Sequence, residues 1–291
     1  MIAEPTMVVD RLAETLVDPA WLWERRDMPE VLAVGCSAEG FLLGHLPGVV
    51  LPVYPFLKHN PLGSADIMDL ARATAMIPAD EFARVMESLG VTEHTSVVAY
   101  DDFDGTLSAR LWWVLRYYGH EKVKVLDGGW HRWVMEGFSL AQKEGPHRHG
   151  HFVPVPHPDM ACSTERLLER VRTRTATVVD ARSRDEWQAD PNYWGNERRG
   201  RIPGSVHLDT GTLITEDLRT LRTSKELRLR LDEAGIPPAG EVVFYCQSGV
   251  AAALGALVLH LLGRDDGLLY EASMAEWANR DDTPLDCDAD D

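Results

Sequence analysis

Short apolar runs alternate with amphipathic stretches along the whole chain. The clearest unit lies between residues 242 and 263. Val242 to Tyr245 predict a short buried strand, because all four residues are apolar or aromatic β-formers. Residues 246–250 predict a tight loop. Residues 251–262 predict an apolar helix that ends at Gly263, since glycine readily forms a C-terminal cap.

The same alternation continues through both halves of the chain. Turns at 45–50 and 201–206 each lead into a further predicted strand. Alternating strands and helices predict an α/β protein with two domains, each a mostly parallel sheet with helices on both faces. Further strands are predicted at 31–35, 95–100, 123–126, 177–180 and 267–270, and helices at 18–25, 79–89, 107–118, up to 135, 163–172, from 185, 224–234 and 274–277.

The two halves share landmarks in the same order. His45-Leu-Pro-Gly-Val corresponds to Arg201-Ile-Pro-Gly-Ser-Val. The distance from Asp101 to Cys246 is 145 residues, and that from Trp133 to Trp277 is 144. Landmarks at one nearly constant offset predict two copies of a single α/β unit. The predicted domains are 1–142 and 161–291, joined by a linker at 143–160 that is rich in proline and histidine.

The length and net charge of the chain indicate a globular protein and argue against a nucleic-acid-binding one. The chain has 291 residues, 45% of them hydrophobic, which suits two globular domains. Its net charge of -17 argues against nucleic acid as a partner, because phosphate binding needs a basic surface. A run of about 18 apolar residues, as a membrane span requires, does not occur, and the first residues do not resemble a secretory signal. We therefore expect a cytoplasmic protein, monomeric or homodimeric.

The four cysteines form no CxxC pair, so neither a zinc site nor a dithiol redox motif is predicted. The histidines of the linker match no known ligand spacing. The linker histidines are His147, His149, His151 and His157. The sequence therefore predicts neither a metal nor a cofactor.

Cys246 is the candidate nucleophile. A cysteine between a strand and a helix N-terminus lies among unpaired N–H groups at the positive end of the helix dipole. Such surroundings favour the thiolate. Gly249 allows the loop to curl, so that several N–H groups point at one negative charge, a thiolate or a persulfide. The alternative is a buried structural cysteine.

Cysteine phosphatases place a cysteine at a similar turn. They also require an arginine six residues later, which clamps the phosphate oxygens. Ala252 occupies that position here. The loop also has room for a group the size of a sulfur atom rather than a phosphate. Phosphatase and arsenate-reductase activities are therefore disfavoured.

Five motifs together make the chain resemble the tandem-domain, rhodanese-type sulfurtransferases. They are HLPG at 45–48, DGGWHRW at 127–133, GRIPGSVHL at 200–208, YCQSGVAA at 245–252 and YEASMAEW at 270–277. The resemblance implies that Cys246 takes a sulfane sulfur from a donor and passes it to cyanide or a thiol. It also implies a catalytically inactive first copy, in which Asp101 replaces the cysteine.

The resemblance also bears on the sulfur donor. Thiosulfate enzymes of the family have a cationic loop of the type Cys-Arg-Lys-Gly-Val-Thr, and mercaptopyruvate enzymes have a neutral Cys-Gly-Ser-Gly-Val-Thr loop. This chain has the neutral loop Gln247, Ser248, Gly249, Val250 and Ala251 after Cys246. The resemblance therefore favours 3-mercaptopyruvate. Thiosulfate as donor, and a non-catalytic binding or redox-sensing module, remain alternatives.

A donor carboxylate or sulfonate needs a cation. Mercaptopyruvate enzymes use two arginines between the first strand of the second domain and its IPG turn. That loop offers Arg182, Arg184, Arg198 and Arg199, of which spacing favours the last two. Trp187 and Trp194 are candidates for the pocket wall. The acidic residue of the family's serine relay is missing from 49–54, with His59 or Asp66 as candidate substitutes.

Overall fold

A computed structural model describes residues 10–36, 44–49, 73–74, 76–143, 145, 149–188 and 194–287. The chain forms two consecutive α/β units, each built around its own four-stranded sheet. In the first unit the strands are β1 (Leu16–Val17), β2 (Val31–Gly35), β3 (Ser96–Tyr100) and β4 (Val123–Leu126), and the helices are α1 (Leu12–Thr15), α2 (Pro19–Arg25), α3 (Ala79–Leu89), α4 (Thr106–Tyr117) and α5 (Gly129–Met135).

The first sheet has the order β1-β4-β3-β2, and its described strand pairs are all parallel. Strand β2 is buried along its whole length, as expected of a strand covered by helices on both faces. The Asp18 side chain caps α2 by accepting a hydrogen bond from the Trp21 N–H, with Pro19 in the first helical position. Local capping signals thus place the helix where the sequence predicts it.

The second unit repeats this plan. Its sheet has the order β6-β5-β7-β8 with parallel pairing between neighbours in the described part of the chain. The predicted α/β fold with two parallel sheets flanked by helices is confirmed. The strands are β5 (Thr177–Asp180), β6 (Val206–His207), β7 (Val242–Tyr245) and β8 (Gly267–Leu269), and the helices are α6 (Thr164–Thr173), α7 (Arg184–Trp187), α8 (Ser224–Glu233), α9 (Val250–Leu261) and α10 (Ser273–Trp277).

The two units pack through α4 and α9, the helices that follow Asp101 and Cys246. Buried apolar side chains from both units form one continuous cluster around these helices. A salt bridge of 2.5 Å joins Arg110 on α4, whose side chain is fully buried, to Glu271 in the second unit. Helix α9 of the second unit is therefore supported by the first unit.

Residues 149–160 run along the surface of the first unit rather than spanning a gap. The His151 N–H donates to the Val91 carbonyl, and the His157 N–H donates to the Tyr117 carbonyl. Phe152 is buried and contacts the ring of Phe82 edge-on. The predicted linker residues 146–148 lie outside the described part of the chain.

The predicted turn at 45–50 is present in its described residues, where the Val49 N–H donates to the Leu46 carbonyl at 3.4 Å and His45 makes an isolated bridge to Ala141. The strand predicted to follow this turn lies outside the described residues. One local prediction is corrected. Val250 is the first residue of α9 rather than a loop residue, because Gly249 already forms the N-terminal cap. His59 and Asp66 lie outside the described residues. Among the helices that the structure describes, none has the length and apolar character needed to cross a bilayer.

Candidate active site

Cys246 lies directly after β7, at the edge of the sheet where the parallel strands end. The neighbouring strand β5 ends beside it, and the Ala181 N–H donates to the Tyr245 carbonyl at 2.8 Å. Ligand sites of open parallel sheets lie at this edge. The side chain is nearly covered, with 3% of the residue exposed.

The loop curls around the Cys246 sulfur. The Gly249 N–H donates to Cys246 Sγ at 3.1 Å and fixes the sulfur at the N-terminus of α9. Gly249 has a φ of 77°, in the left-handed region that favours glycine. A Cβ atom here would lie 2.6 Å from the Glu271 carbonyl oxygen. Glycine is therefore required both by the backbone angle and by the close approach of a neighbouring chain segment.

Helix α10 holds the opposite side of the loop. The Met274 N–H donates to the Cys246 carbonyl at 3.1 Å, and the Ala275 N–H donates to the Gln247 carbonyl at 2.8 Å. Ser273 Oγ accepts from the Cys246 N–H at 3.1 Å and donates to the Tyr270 carbonyl at 2.8 Å. The backbone on both sides of Cys246 is thus fixed by the start of α10.

Ser273 adopts an unusual backbone conformation for a serine, with a φ of 54°. The residue 144 positions earlier is Gly129, which has a φ of 51°. A non-glycine residue in this region stores strain of the order of 1–2 kcal/mol. The serine hydroxyl compensates by bonding the Cys246 N–H, a contact that glycine cannot make.

The first copy has the same architecture with a different side chain. The Asp101 carboxylate accepts hydrogen bonds from the N–H groups of Phe103 (3.1 Å), Gly105 (3.0 Å) and Ser108 (2.8 Å). Burial raises the pKa of this carboxyl, while the hydrogen bond from Ser108 lowers it. The Trp130 N–H donates to the Asp101 carbonyl as Met274 does to Cys246. The first copy therefore holds one buried carboxylate in a nest of three N–H groups.

Gln247 contacts the arginine-bearing loop, the segment between β5 and the IPG turn that carries Arg198 and Arg199. It pairs with Asn196 through two amide hydrogen bonds, of 3.0 Å and 3.1 Å. Both Gln247 and the following Ser248 are 4% exposed. The loop from Gln247 to Ala251 contains no charged side chain, so a donor anion must be neutralised by groups from other segments.

Two of the four predicted arginines make structural contacts. Arg182 is buried and forms a salt bridge of 2.6 Å with Asp180 and a hydrogen bond of 3.1 Å to the Gly200 carbonyl. Arg198 donates to the carbonyls of Trp277 and Thr283, both at 2.8 Å, and so caps the C-terminal end of α10. A guanidinium that already satisfies buried carbonyls or a carboxylate has few donors left for a substrate.

Arg184 and Arg199 differ from this pair. Both residues are exposed, and within the described part of the chain neither guanidinium makes an ion pair or a hydrogen bond. Arg184 is the first residue of α7, and Arg199 lies between the bonded Arg198 and the buried Gly200. The structure thus divides the four predicted arginines into a structural pair and an exposed pair.

The two tryptophans of this loop have defined partners. The Trp187 ring lies between the guanidinium of Arg201, 4.5 Å from its centroid, and the ring of His207, stacked at 4.9 Å. The Trp194 indole N–H donates to Glu186 Oε1 at 2.6 Å. These contacts fix the two rings against neighbouring side chains, and the role of the tryptophans as pocket walls stays a prediction.

The remaining cysteines are separate from this site. Burial raises the pKa of the Cys36 thiol well above its usual range and that of Cys162 to about 11, so both stay protonated at neutral pH. Cys287 is exposed, and its thiol donates to the Arg199 carbonyl at 3.0 Å. Within the described residues, no three histidine, cysteine or acidic side chains cluster as metal ligands.

Comparison with known proteins matches the Rhodanese-like domain twice, at residues 18–136 and 163–280. The chain belongs to the Rhodanese-like domain family. The family resemblance and the tandem arrangement that the sequence predicts are confirmed. Relatives over most of its length are named 3-mercaptopyruvate sulfurtransferase and thiosulfate sulfurtransferase, and the chain is an enzyme of the sulfurtransferase family.

Several relatives are similar to this chain over most of its length. The 3-mercaptopyruvate sulfurtransferase of Escherichia coli is 28% identical over 91% of this chain and 95% of its own. The thiosulfate sulfurtransferase of Azotobacter vinelandii is 29% identical over 93% and 96%. A sulfur carrier protein of Thermus thermophilus is 29% identical over 94% and 96%. The crystal structure of an Escherichia coli 3-mercaptopyruvate sulfotransferase matches with a TM-score of 0.75 and 27% identity, covering 89% of this chain and 98% of the other.

Sequence reasoning missed Ser273 and Asn196. Ser273 could have been found from the offset of 144 residues, because it replaces the second glycine of the Asp127-Gly-Gly motif of the first copy. Asn196 carries no such signal. Its pairing with Gln247 joins residues 51 positions apart and follows only from the fold.

Proposed function

We propose that this protein transfers a sulfane sulfur from a small anionic donor to cyanide or a thiol through a persulfide on Cys246. The observation that carries the proposal is the nest of the first copy. Asp101 accepts from the N–H groups of Phe103, Gly105 and Ser108. At offsets of 145 and 144 residues these donors correspond to Ser248, Gly249 and Ala252.

An aspartate and a cysteine persulfide have similar shapes. In the first, the negative oxygen is two bonds from Cβ, and in the second the negative terminal sulfur is also two bonds from Cβ. The N–H groups of Ser248, Gly249 and Ala252 are therefore suited to stabilise the terminal sulfur of a Cys246 persulfide. Charge-assisted hydrogen bonds of this kind are stronger than neutral ones.

The reaction balances in two steps. The Cys246 thiolate attacks the sulfur of 3-mercaptopyruvate, the carbon–sulfur bond breaks, and the thiol proton passes to the carbon that becomes the methyl group of pyruvate. Cyanide then attacks the terminal sulfur of the persulfide, the sulfur–sulfur bond breaks, and thiocyanate leaves with the thiolate regenerated. Neither step requires an external oxidant or reductant.

The neutral loop supports 3-mercaptopyruvate as the favoured donor. A dianion such as thiosulfate is best held by cations close to the sulfur, and the five residues after Cys246 provide none. We propose that Arg199 and Arg184 bind the donor carboxylate, because they belong to the predicted loop and are exposed. Arg182 and Arg198 instead hold the backbone around the site.

The organisation proposed with this function is an inactive domain at 1–142, a linker at 143–160 and a catalytic domain at 161–291. The two matched family segments, 18–136 and 163–280, are compatible with these boundaries. We further propose that the enzyme works in the cytoplasm, as a monomer or a homodimer, with small-molecule substrates.

The test is thiocyanate formation from cyanide with each donor, measured side by side. We expect turnover with 3-mercaptopyruvate at a higher kcat/KM than with thiosulfate, and no turnover by the Cys246→Ser variant. Faster turnover with thiosulfate would refute the donor assignment. If the wild type turns over neither donor, the protein is better described as a binding or redox-sensing module.

A further inference from the structure

The Gln247–Asn196 pair joins the two segments that a sulfur donor must contact. Gln247 follows the nucleophile, and Asn196 lies two residues before Arg198. Each amide donates one hydrogen bond and accepts one, at 3.0 Å and 3.1 Å. A reciprocal pair fixes both the distance and the orientation of its two amides, which a single hydrogen bond does not.

The pair belongs to a closed ring of contacts. Asn279, just after α10, donates to Asn196 Oδ1 at 3.4 Å and to the Ala275 carbonyl at 2.8 Å, and its own Oδ1 accepts from the Glu197 N–H at 2.7 Å. The Ala275 N–H in turn donates to the Gln247 carbonyl. The nucleophile loop, the arginine-bearing loop and α10 are thereby bonded to one another.

We infer that Gln247 and Asn196 are positioning residues for the donor. Their amide pair holds residues 196–199 at a fixed place relative to Cys246, and so sets where the Arg199 guanidinium meets the donor carboxylate. This inference rests on the proposed function, since it assigns a role in binding the donor of that reaction. The pair depends on the residue at position 247, because a glycine there would have no side chain and an arginine could not accept a hydrogen bond.

The chemistry of the pair suits this position. Gln247 is 4% exposed, and burying a charged side chain beside a thiolate or persulfide would change its reactivity. A neutral amide satisfies its own polar groups through Asn196 and adds no net charge. The amide pair therefore fixes the two loops relative to each other without placing a charge beside Cys246.

The test compares Asn196→Ala, Gln247→Ala and the double variant in steady-state kinetics with 3-mercaptopyruvate and cyanide. The loss of two neutral hydrogen bonds that position the donor cation is expected to raise the donor KM about tenfold and to change kcat much less. The double variant should equal either single variant, because each already breaks the pair. Gln188→Ala, which removes an exposed amide outside the ring, is the matched control.

A second comparison separates positioning from a general structural role. In an Arg199→Ala background, Asn196→Ala should raise the donor KM no further, and alkylation of Cys246 by iodoacetamide should proceed at the wild-type rate in Asn196→Ala. The inference would be overturned if the donor KM of the Asn196→Ala/Arg199→Ala double variant rose by the product of the two single effects. It would also be overturned if Asn196→Ala left the donor KM unchanged. Failure of the proposed function is distinguishable, because the wild type itself would then form no thiocyanate.

Discussion

An alanine at position 249 would be destabilised in two ways, by the left-handed backbone angle and by a clash with Glu271, and a control variant separates the two effects. Gly249→Ala places a methyl group in a backbone conformation with a φ of 77° and 2.6 Å from the Glu271 carbonyl oxygen. Gly137→Ala is the matched control, because Gly137 has a φ of 80° and no atom within 4 Å of the added Cβ. The left-handed conformation costs about 1–2 kcal/mol in both variants.

Only Gly249→Ala adds the clash with a backbone oxygen, and overpacking of this kind costs about 1–3 kcal/mol more. We therefore expect Gly249→Ala to lower the free energy of unfolding by about 2–5 kcal/mol, and Gly137→Ala by about 1–2 kcal/mol. Because relief of the clash moves the N–H that bonds Cys246 Sγ, kcat/KM should fall by about tenfold to a hundredfold in Gly249→Ala alone.

Urea unfolding curves and thiocyanate formation measure the two quantities on the same preparations. Equal losses of stability in both variants would show that the contact with Glu271 does not constrain the loop. Activity of Gly249→Ala close to that of Gly137→Ala would show that the position of this N–H does not matter for sulfur transfer.

Three further variants test other parts of the account. Arg110→Met leaves the Glu271 carboxylate without its buried partner and should lower the free energy of unfolding by about 3–5 kcal/mol in urea unfolding. Ser273→Gly tolerates the left-handed backbone, as Gly129 does in the first copy, but removes the hydroxyl that accepts from the Cys246 N–H, so kcat for thiocyanate formation should fall several-fold. Ser273→Ala also keeps the backbone strain, so its kcat should fall further. Burial lowers the pKa of His260, so the stability that its neutral form provides is present above the ordinary pKa of 6.5 and is lost as the pH falls below it. His260→Gln should therefore weaken the dependence of stability on pH between about 7.5 and 5.5 in unfolding curves.

The local elements of the fold could be predicted because their signals are local. The strand Val242–Tyr245 follows from four consecutive β-formers, and the end of α3 follows from Gly90, which caps it with a φ of 85°. Cys246 and Asp101 could be matched because the duplication repeats short motifs at a constant offset. Capping, periodicity and repetition are all visible without knowledge of the tertiary structure.

The structural contacts of the arginines could not be predicted, because their partners are distant in the sequence. Arg198 bonds carbonyls 79 to 85 residues away, at the end of α10, and Arg182 bonds the carbonyl of Gly200 across the sheet edge. Spacing along the chain placed Arg198 among the favoured candidates, although its guanidinium serves as a helix cap. Side chains with partners distant in sequence can be assigned only when the fold brings those partners together.

The first copy supports the Cys246 loop of the second copy. Its helix α4 packs against α9, and its Arg110 bonds Glu271, whose carbonyl lies against Gly249. The segment that limits the shape of the Cys246 loop is therefore anchored in the first copy. Asp101 also fills its own N–H nest, which gives that copy a stable, closed loop without a thiol.

Sulfur transfer through Cys246 is tested most directly by the mass of the peptide that contains Cys246 after incubation with 3-mercaptopyruvate. We expect a gain of one sulfur atom on that peptide, lost on addition of cyanide, and no gain on the peptides that contain Cys36, Cys162 or Cys287. A sulfur carried equally by the Cys246→Ser variant, or a wild-type Cys246 peptide without added sulfur, would contradict a persulfide on Cys246.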